Sequence, residues 1–424
     1  MNASFTIRRL HAREILDSRG RPTVWAECAL AGGATGAAST PSGASTGRAE
    51  ASELRAGDAG RYRGLGCRRA VENIRGTLHY QLQGRAFASQ AEFDAELRRI
   101  DGTPTLGRLG ANATVAVSLA FARAGAASRG VPLYQHFADL AGRPLRTLPR
   151  LTVNLFSGGK HAGEQAPLQD ILVVPRRAVT TDEALATVAA VYGSAADLVW
   201  EKYSQRLLRA DEGGMAPAFP NAESMLADAV EAIGAAGYAV GTDVALAVDV
   251  AASHFFRDGC YQLGREQLTP AAMIDRIDAW TRRYPLVSVE DGLSEDDWTN
   301  WPALRARLAG RCLTLGDDLL CTQPQRINRA VASGAADALL LKVNQVGTLT
   351  GAGEAAALAR AAGWRITVSA RSGDTEDDWL ADLAVGWGAE FIKVGSITQS
   401  ERLAKYNRLL AIEAETGLPL CPWP

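Results

Sequence analysis

The chain has 424 residues, of which 47% are hydrophobic and 22% are charged, and its formal net charge at pH 7 is -2. This length predicts two domains, and the charge argues against a nucleic-acid partner because binding to phosphates needs a surplus of basic residues. The N-terminal segment lacks the apolar core of a signal peptide, and no stretch of about 18 uncharged apolar residues occurs. We therefore expect a cytoplasmic protein without a membrane partner.

The N-terminal third begins with roughly alternating apolar and polar residues, over residues 4–30, which is typical of an antiparallel meander. Residues 39–47 follow and are small or hydroxylated, so they offer few side chains for packing. We expect a mobile loop there, either a plain linker or a lid whose hydroxyls and amides close over an anion or a metal. Between residues 49 and 138 alanine and leucine recur at helical spacing.

Two prolines, Pro144 and Pro149, interrupt this helical pattern and indicate a domain boundary. We therefore expect an N-terminal α+β domain at residues 1–145, which includes the lid loop 39–47, and a second domain at residues 146–424.

Beyond residue 150, short leucine-rich or β-branched runs alternate with helical stretches at about the length of one βα unit. This rhythm predicts an α/β fold in which eight parallel strands with outer helices close into a barrel. The runs are 151–155, 171–174, 244–250, 286–290, 313–317, 338–342, 365–369 and 391–394.

Charged residues stand at or just after the C-terminal ends of six of these runs. In a βα barrel all of these ends open onto one face, where active sites are built. A solvated surface does not explain six charges in register, so we take this face for the candidate active site. The six residues are Asp249, Glu290, Asp317, Lys342, Arg371 and Lys393.

Lys342 follows three consecutive leucines, and a buried ammonium is costly unless it is paired or loses its proton. A lysine whose stem is buried and whose head reaches the surface is the alternative. The composition favours a chemical role, because the chain has 5 lysines against 40 arginines, and arginine cannot give up a proton. We expect the pKa of Lys342 to fall toward that of a usable base when a dication lies nearby.

Asp249, Glu290 and Asp317 would place three carboxylates on neighbouring strands, where they repel one another unless a cation neutralises them. Oxygen-only ligands suit Mg²⁺. Glu212, in a flexible Asp-Glu-Gly-Gly segment, is a candidate acid. A base, an acid and a metal together fit the abstraction of a proton next to a carboxylate. An anion clamp for a phosphorylated acid would come from Arg371, Ser372 and Lys393.

Nine sequence motifs in this order resemble those of the enolase family along nearly the whole chain. They begin at Asp17, Pro41, Gly110, Asp211, Asp249, Ser288, Gly316, Leu341 and Arg402. The resemblance implies a modified (β/α)8 barrel with an N-terminal capping domain, a homodimer or higher homo-oligomer, and one or two Mg²⁺ ions. It also implies the reversible loss of water from 2-phosphoglycerate to give phosphoenolpyruvate.

The resemblance further implies roles for individual residues. Lys342 would be the base at C2 and Glu212 the acid that helps the C3 hydroxyl to leave. Asp249, Glu290 and Asp317 would hold the first Mg²⁺, and Ser42 on the lid would reach the second. The substrate would be held by His161, Gln169, Arg371 and Ser372, with Lys393 at its carboxylate.

Two positions depart from the family pattern. Ala370 stands where the family has a histidine beside the phosphate clamp, and Asp170 stands where it has a glutamate that supports the acid. An ordinary enolase that has drifted is one interpretation. Another is a divergent relative, of the carboxyphosphonoenolpyruvate synthase type, which acts on a phosphono or carboxyphosphono acid. A non-catalytic binding protein on the same fold is the third. The sequence leaves the true substrate, the number of metals at rest and the oligomer size open.

Overall fold

The structure, a computed structural model, describes residues 5–164, 166–205 and 208–423. The N-terminal part is built on a four-stranded sheet in the order β3-β2-β1-β4, in which all neighbours run antiparallel. The first three strands are consecutive along the chain, so the predicted meander is confirmed. The strands are β1 (Phe5–Leu16), β2 (Pro22–Leu30), β3 (Thr35–Ser39) and β4 (Ala86–Phe87).

Helices cover one face of this sheet, and the longest, α4, is buried along most of its length. Gly36 on β3 permits this close packing, because a Cβ at that position would lie 2.2 Å from the backbone nitrogen of Ala124. The predicted helical region was wrong at its start: helix begins at Arg68, and four glycines between residues 57 and 66 disfavour it earlier. The helices are α1 (Arg68–Asn73), α2 (His79–Leu82), α3 (Gln90–Asp101), α4 (Ala111–Arg129) and α5 (Leu133–Leu140).

The rest of the chain forms a closed eight-stranded barrel with the order β11-β12-β13-β14-β15-β5-β6-β7. β8, β9 and β10 make a small antiparallel sheet that the sequence analysis missed. The strands are β5 (Arg150–Ser157), β6 (Asp170–Pro175), β7 (Val244–Asp249), β8 (Phe256–Arg257), β9 (Cys260–Leu263), β10 (Glu266–Leu268), β11 (Leu286–Glu290), β12 (Leu313–Gly316), β13 (Ala338–Leu341), β14 (Arg365–Ser369) and β15 (Phe391–Gly395).

Helices alternate with the later barrel strands. Threonine side chains cap the first turns of three of them, α6, α8 and α12, by accepting a hydrogen bond from a backbone N–H. The helices are α6 (Thr181–Tyr203), α7 (Ala222–Ala235), α8 (Pro270–Arg283), α9 (Trp301–Leu308), α10 (Pro324–Ser333), α11 (Val343–Val346), α12 (Leu349–Ala361), α13 (Trp379–Gly386) and α14 (Ser400–Thr416). Within the described ranges, no helix combines the length and apolar character that crossing a membrane requires.

The α/β barrel with its N-terminal α+β domain is confirmed, but the expectation that all eight strands run parallel was wrong. β6 runs antiparallel to both β5 and β7. Between β5 and β6, residues 158–164 and 166–169 are described, and their helical structure is one short 3-10 turn, Gly159–Ala162, whereas a parallel crossover usually needs a full helix. As a consequence, the first residue of β6 lies at the C-terminal face of the barrel, where the neighbouring strands β5 and β7 end.

Candidate active site

Three carboxylates lie on adjacent strands at the C-terminal face of the barrel. Asp249 and Glu290 are the last residues of β7 and β11 and stand opposite each other in the strand register. Asp317 directly follows β12, the next strand around the ring. All three are buried, with 2–4% of their surface exposed. Such a set of oxygen ligands suits Mg²⁺ in charge and in chemical hardness.

Two lysines neutralise these carboxylates within the protein itself. The Nζ atom of Lys393 lies 3.0 Å from Asp249 Oδ2 and 2.8 Å from Glu290 Oε2. Lys342, which follows β13, forms an ion pair with Asp317. The sequence analysis assigned both lysines to the substrate, and the structure adds that each is paired with a proposed metal ligand.

The close packing of these charged groups shifts the pKa values of Glu290 and Asp249 in opposite directions. Burial, and then the charge of Asp249, raise the pKa of Glu290 well above its usual value. Burial alone would also raise the pKa of Asp249, but the ammonium of Lys393 outweighs it and lowers the pKa to about 2. When both carboxylates are ionised they repel each other, and a divalent cation bound between them would relieve this repulsion. Among the described residues, the acidic group whose ligand atoms all lie within 4.8 Å of one another at this end of the barrel is Asp291, Asp317 and Asp318. Oxygen ligands of this kind suit Mg²⁺, and the set Asp249, Glu290 and Asp317 stays a prediction.

The expected fall in the pKa of Lys342 does not follow from the protein's own groups. Burial lowers the pKa of this ammonium, but the nearby carboxylate of Asp317 outweighs burial and raises it. The expectation assumed a dication beside the lysine, and the same carboxylate that would hold the dication is the counterion of Lys342.

A second group of residues lies across the barrel from Lys342, around the start of β6. His161 Nδ1 lies 2.9 Å from Asp170 Oδ2, and its Nε2 lies 3.9 Å from Glu212 Oε1. Ser157 donates a hydrogen bond of 2.6 Å to the other oxygen of Asp170. Asn154 donates one of 3.0 Å to Glu212 Oε2. The reversed direction of β6 places Asp170 in this group, because the strand starts at the active-site face.

His161 carries the proton of this group. Burial disfavours the charged imidazole, but the carboxylates of Asp170 and Glu212 outweigh burial and raise the pKa of His161 to about 9. For Glu212 burial acts upward, but the positive charge of His161 dominates and lowers its pKa. The raised pKa of His161 favours an imidazolium between the carboxyl groups of Asp170 and Glu212, and the ligand atoms of all three residues lie within 4.8 Å of one another.

The proposed anion clamp follows β14. The guanidinium of Arg371 is buried and lies beside Ser372, whose Oγ accepts hydrogen bonds from Arg19 Nη1 at 3.0 Å and from the backbone nitrogen of Ala44 at 2.6 Å. Ala370, the first of the two departures from the family pattern, is 5% exposed and presents only a methyl group to the site.

The loop 39–47 lies closed over the barrel mouth. Its residues Gly43, Ala44 and Ser45 line the cavity below. Ser42 is buried, and its hydroxyl donates to Glu53 Oε2 at 3.1 Å and accepts from Arg55 Nη2 at 2.8 Å. In this position Ser42 is engaged with the N-terminal domain, and its proposed contact with a second Mg²⁺ stays a prediction.

Residues of the lid, both lysines and the His161 group line one cleft at the mouth of the barrel. Gln169, a predicted substrate contact, also lines it and donates a hydrogen bond of 3.1 Å to Asp249 Oδ2. Its lining consists of Gly43, Ala44, Ser45, His161, Gln169, Glu212, Asp249, Lys342, Ser369, Ala370, Arg371, Ser372 and Lys393.

Comparison with protein families accounts for this architecture. Residues 7–137 match the family model for the N-terminal domain of enolase. Residues 145–419 match the model for the C-terminal TIM barrel domain of enolase. The chain belongs to the enolase family. Ala370 lines the cleft beside Arg371, and Asp170 lies against His161.

Several residues of this enolase-family site escaped the sequence analysis. Asp291 follows β11 with φ = 43°, and its carboxylate accepts hydrogen bonds from the backbone nitrogens of Asp317 and Asp318 at 3.0 and 2.7 Å. It thereby fixes the turn that presents Asp317. Burial, and then the charge of Asp317, raise the pKa of Asp291 to about 8. The available signal was a second consecutive acid at each of two strand ends, since Asp291 follows Glu290 and Asp318 follows Asp317.

Proposed function

We propose that this protein is a Mg²⁺-dependent lyase that removes a proton next to a carboxylate and then expels a β-hydroxyl group. The proposed substrate is a small phosphorylated hydroxy acid, with 2-phosphoglycerate converted to phosphoenolpyruvate. One observation supports this most strongly: the buried Lys342 and the pair of His161 and Glu212 line the same cleft from opposite sides of the barrel. A base and an acid that face each other across a substrate fit an elimination.

Lys342 is the proposed base. The carbon–hydrogen bond next to the carboxylate breaks, and the proton moves to Lys342 Nζ while the electron pair moves onto the carboxylate. Mg²⁺, held by Asp249, Glu290 and Asp317, would neutralise these ligands and stabilise the negative charge that develops on the substrate. A bound Mg²⁺ would offset the carboxylates that raise the pKa of Lys342, and burial would then act to lower it.

The leaving hydroxyl receives its proton from the opposite side. His161 holds this proton between Asp170 and Glu212, and Glu212 lies on the wall of the cavity. We propose that Glu212 passes the proton that His161 holds to the leaving hydroxyl. The carbon–oxygen bond then breaks, the electron pair on the carboxylate returns to form the carbon–carbon double bond, and water leaves. Arg371 and Ser372 would bind the phosphate and Lys393 the carboxylate.

A second candidate function is favoured by the wall at Ala370. Ala370 offers only a methyl group to the cleft, where the resemblance implies an imidazole, so a bound anion would have one fewer polar partner there. An enzyme of the carboxyphosphonoenolpyruvate synthase type, acting on a phosphono or carboxyphosphono acid, would use the same base and metal with a different anionic group. By family likeness we also propose that the protein assembles as a homodimer or a higher homo-oligomer.

Phosphoenolpyruvate formation from 2-phosphoglycerate, followed by absorbance with and without Mg²⁺, tests the first candidate. Turnover that needs Mg²⁺ and is lost in Lys342→Ala is the expected result. Lys202→Ala is the matched control, because Lys202 is also ion-paired but lies on α6, away from the cavity. Absence of turnover, together with Mg²⁺-dependent binding of a phosphonate analogue, would favour the second candidate. Turnover that survives in Lys342→Ala would contradict both.

A further inference from the structure

Glu50 lies three residues beyond the lid loop and has no place in the mechanism above. Its side chain is 9% exposed. Oε2 accepts a hydrogen bond from Arg371 Nη1 at 3.0 Å, and Oε1 accepts one from Arg371 Nη2 at 3.1 Å. Oε1 also accepts from the backbone nitrogen of Gly47, the last residue of the lid, at 3.0 Å. A single carboxylate therefore joins the lid to the proposed anion clamp.

The terminal nitrogens of Arg371 are fully used. Besides Glu50, Nη1 donates to Asn344 Oδ1 at 3.0 Å, and Nη2 donates to the carbonyl oxygen of Ser45 on the lid at 2.9 Å. A guanidinium has four terminal N–H bonds and one on Nε. The bidentate pair with Glu50 thus fixes the plane of the guanidinium, and the Nε–H bond is the one that these contacts leave for a ligand.

The lid packs directly on this guanidinium. A Cβ built on Gly43 would lie 1.9 Å from Arg371 Nη2 and 2.7 Å from the carbonyl oxygen of Ser45. The lid can seat here only because residue 43 lacks a side chain. The position of the lid and the orientation of Arg371 are consequently set by the same contacts, and Glu50 takes part in both.

We propose that Glu50 is a positioning residue that holds Arg371 in its anion-binding orientation and latches the lid over the cavity. The kinetic part of this proposal rests on the proposed function, since it assumes that Arg371 meets the substrate's anionic group. The latch itself does not depend on what the substrate is. Glu50 would act by shaping the site without touching the substrate.

The opposite role for Glu50 would change ligand affinity in the opposite direction. If Glu50 were an internal anion that the substrate must displace from Arg371, its neutralisation would tighten the binding of phosphorylated ligands. Because Glu50 also binds Gly47 and pairs end-on with Arg371, we expect neutralisation to loosen the lid and weaken binding instead.

Glu50→Gln tests the proposal, because it keeps the size of the side chain and removes its charge. Glu96→Gln is the matched control: Glu96 is also a buried glutamate of the N-terminal domain paired with arginines, on α3 and away from the cavity. Hydrogen exchange over residues 39–47 should accelerate at least tenfold in Glu50→Gln and stay unchanged in Glu96→Gln. Unchanged exchange in both variants would overturn the latch, whatever the protein's activity.

Steady-state kinetics on 2-phosphoglycerate supply the second readout. Glu50→Gln should raise KM at least tenfold and change kcat by a smaller factor. Its unfolding midpoint should equal that of Glu96→Gln, which separates the effect on KM from a loss of stability. A KM that falls would show that Glu50 competes with the substrate, and an unchanged KM would separate Glu50 from the anion site; either result overturns the proposal. If the wild-type protein does not turn over 2-phosphoglycerate, the proposed function fails, and hydrogen exchange still decides the latch.

Discussion

The substitution Ala370→His tests how the alanine at this position affects the choice of substrate. Ala370 is buried in the wall of the cleft, between Ser369 and Arg371. In Ala370→His the new ring would add one hydrogen bond to the substrate's phosphate. A hydrogen bond to a charged group contributes about 1.5–3 kcal/mol. That range corresponds to a gain of roughly 10- to 150-fold in kcat/KM.

The assay is the Mg²⁺-dependent formation of phosphoenolpyruvate by the wild type and two variants. Ala370→His should gain activity if the protein is an enolase in which drift removed a useful partner. Ala370→Leu is the matched control, since it fills similar space without a donor and should lose activity. If Ala370→His falls as far as Ala370→Leu, the pocket has been rebuilt around the alanine, and the reasoning that the phosphate lacks a partner there is refuted.

Three further changes test other parts of the structure. Asp317→Asn should weaken Mg²⁺ binding in calorimetry by about tenfold or more, whereas the exposed Asp275→Asn should not; equal affinities would contradict the assigned ligand set. Gly43→Ala should raise KM by about tenfold, because the added methyl group cannot fit beside Arg371. Gly32→Ala, which meets open space, is its control, and an unchanged KM in Gly43→Ala would show that the lid seats elsewhere. Burial, and then Arg129, lower the pKa of His136 to about 4 from 6.5, so its neutral form stabilises the fold above pH 6.5 and this contribution is lost as the pH falls toward 4. Between pH 6 and 5 the free energy of unfolding, measured with urea, should therefore fall by about 1 kcal/mol more in the wild type than in His136→Gln. The same fall in both proteins would refute this.

Much of the fold was predictable because buried strands leave a direct mark on the sequence. The apolar run before Lys342 is β13, and the other barrel runs likewise fall on strands. The direction of β6 left no such mark, because a strand's hydrophobic pattern is the same in either direction, and only the lack of a helix between β5 and β6 carried the information. The strands β8 to β10 have two to four residues each, too few to show a period.

Site residues that stand at strand ends could be predicted from the sequence. Contacts between residues far apart in the chain could not. Asp249, Glu290 and Asp317 come together because adjacent strands bring them there. Glu50 meets Arg371 across 321 positions of the chain, and no local pattern connects the two. The pKa of Lys342 could not be predicted from burial alone, since its sign depends on the ion pair with Asp317.

Deuterium uptake at the carbon next to the substrate's carboxylate tests the central claim most directly, because it follows proton abstraction apart from loss of the hydroxyl. With 2-phosphoglycerate in D₂O, the wild-type protein should incorporate deuterium only with Mg²⁺. Lys342→Met should abolish the exchange, while Glu212→Gln should retain it and lose elimination. Exchange at the wild-type rate in Lys342→Met would contradict the assignment of this lysine as the base.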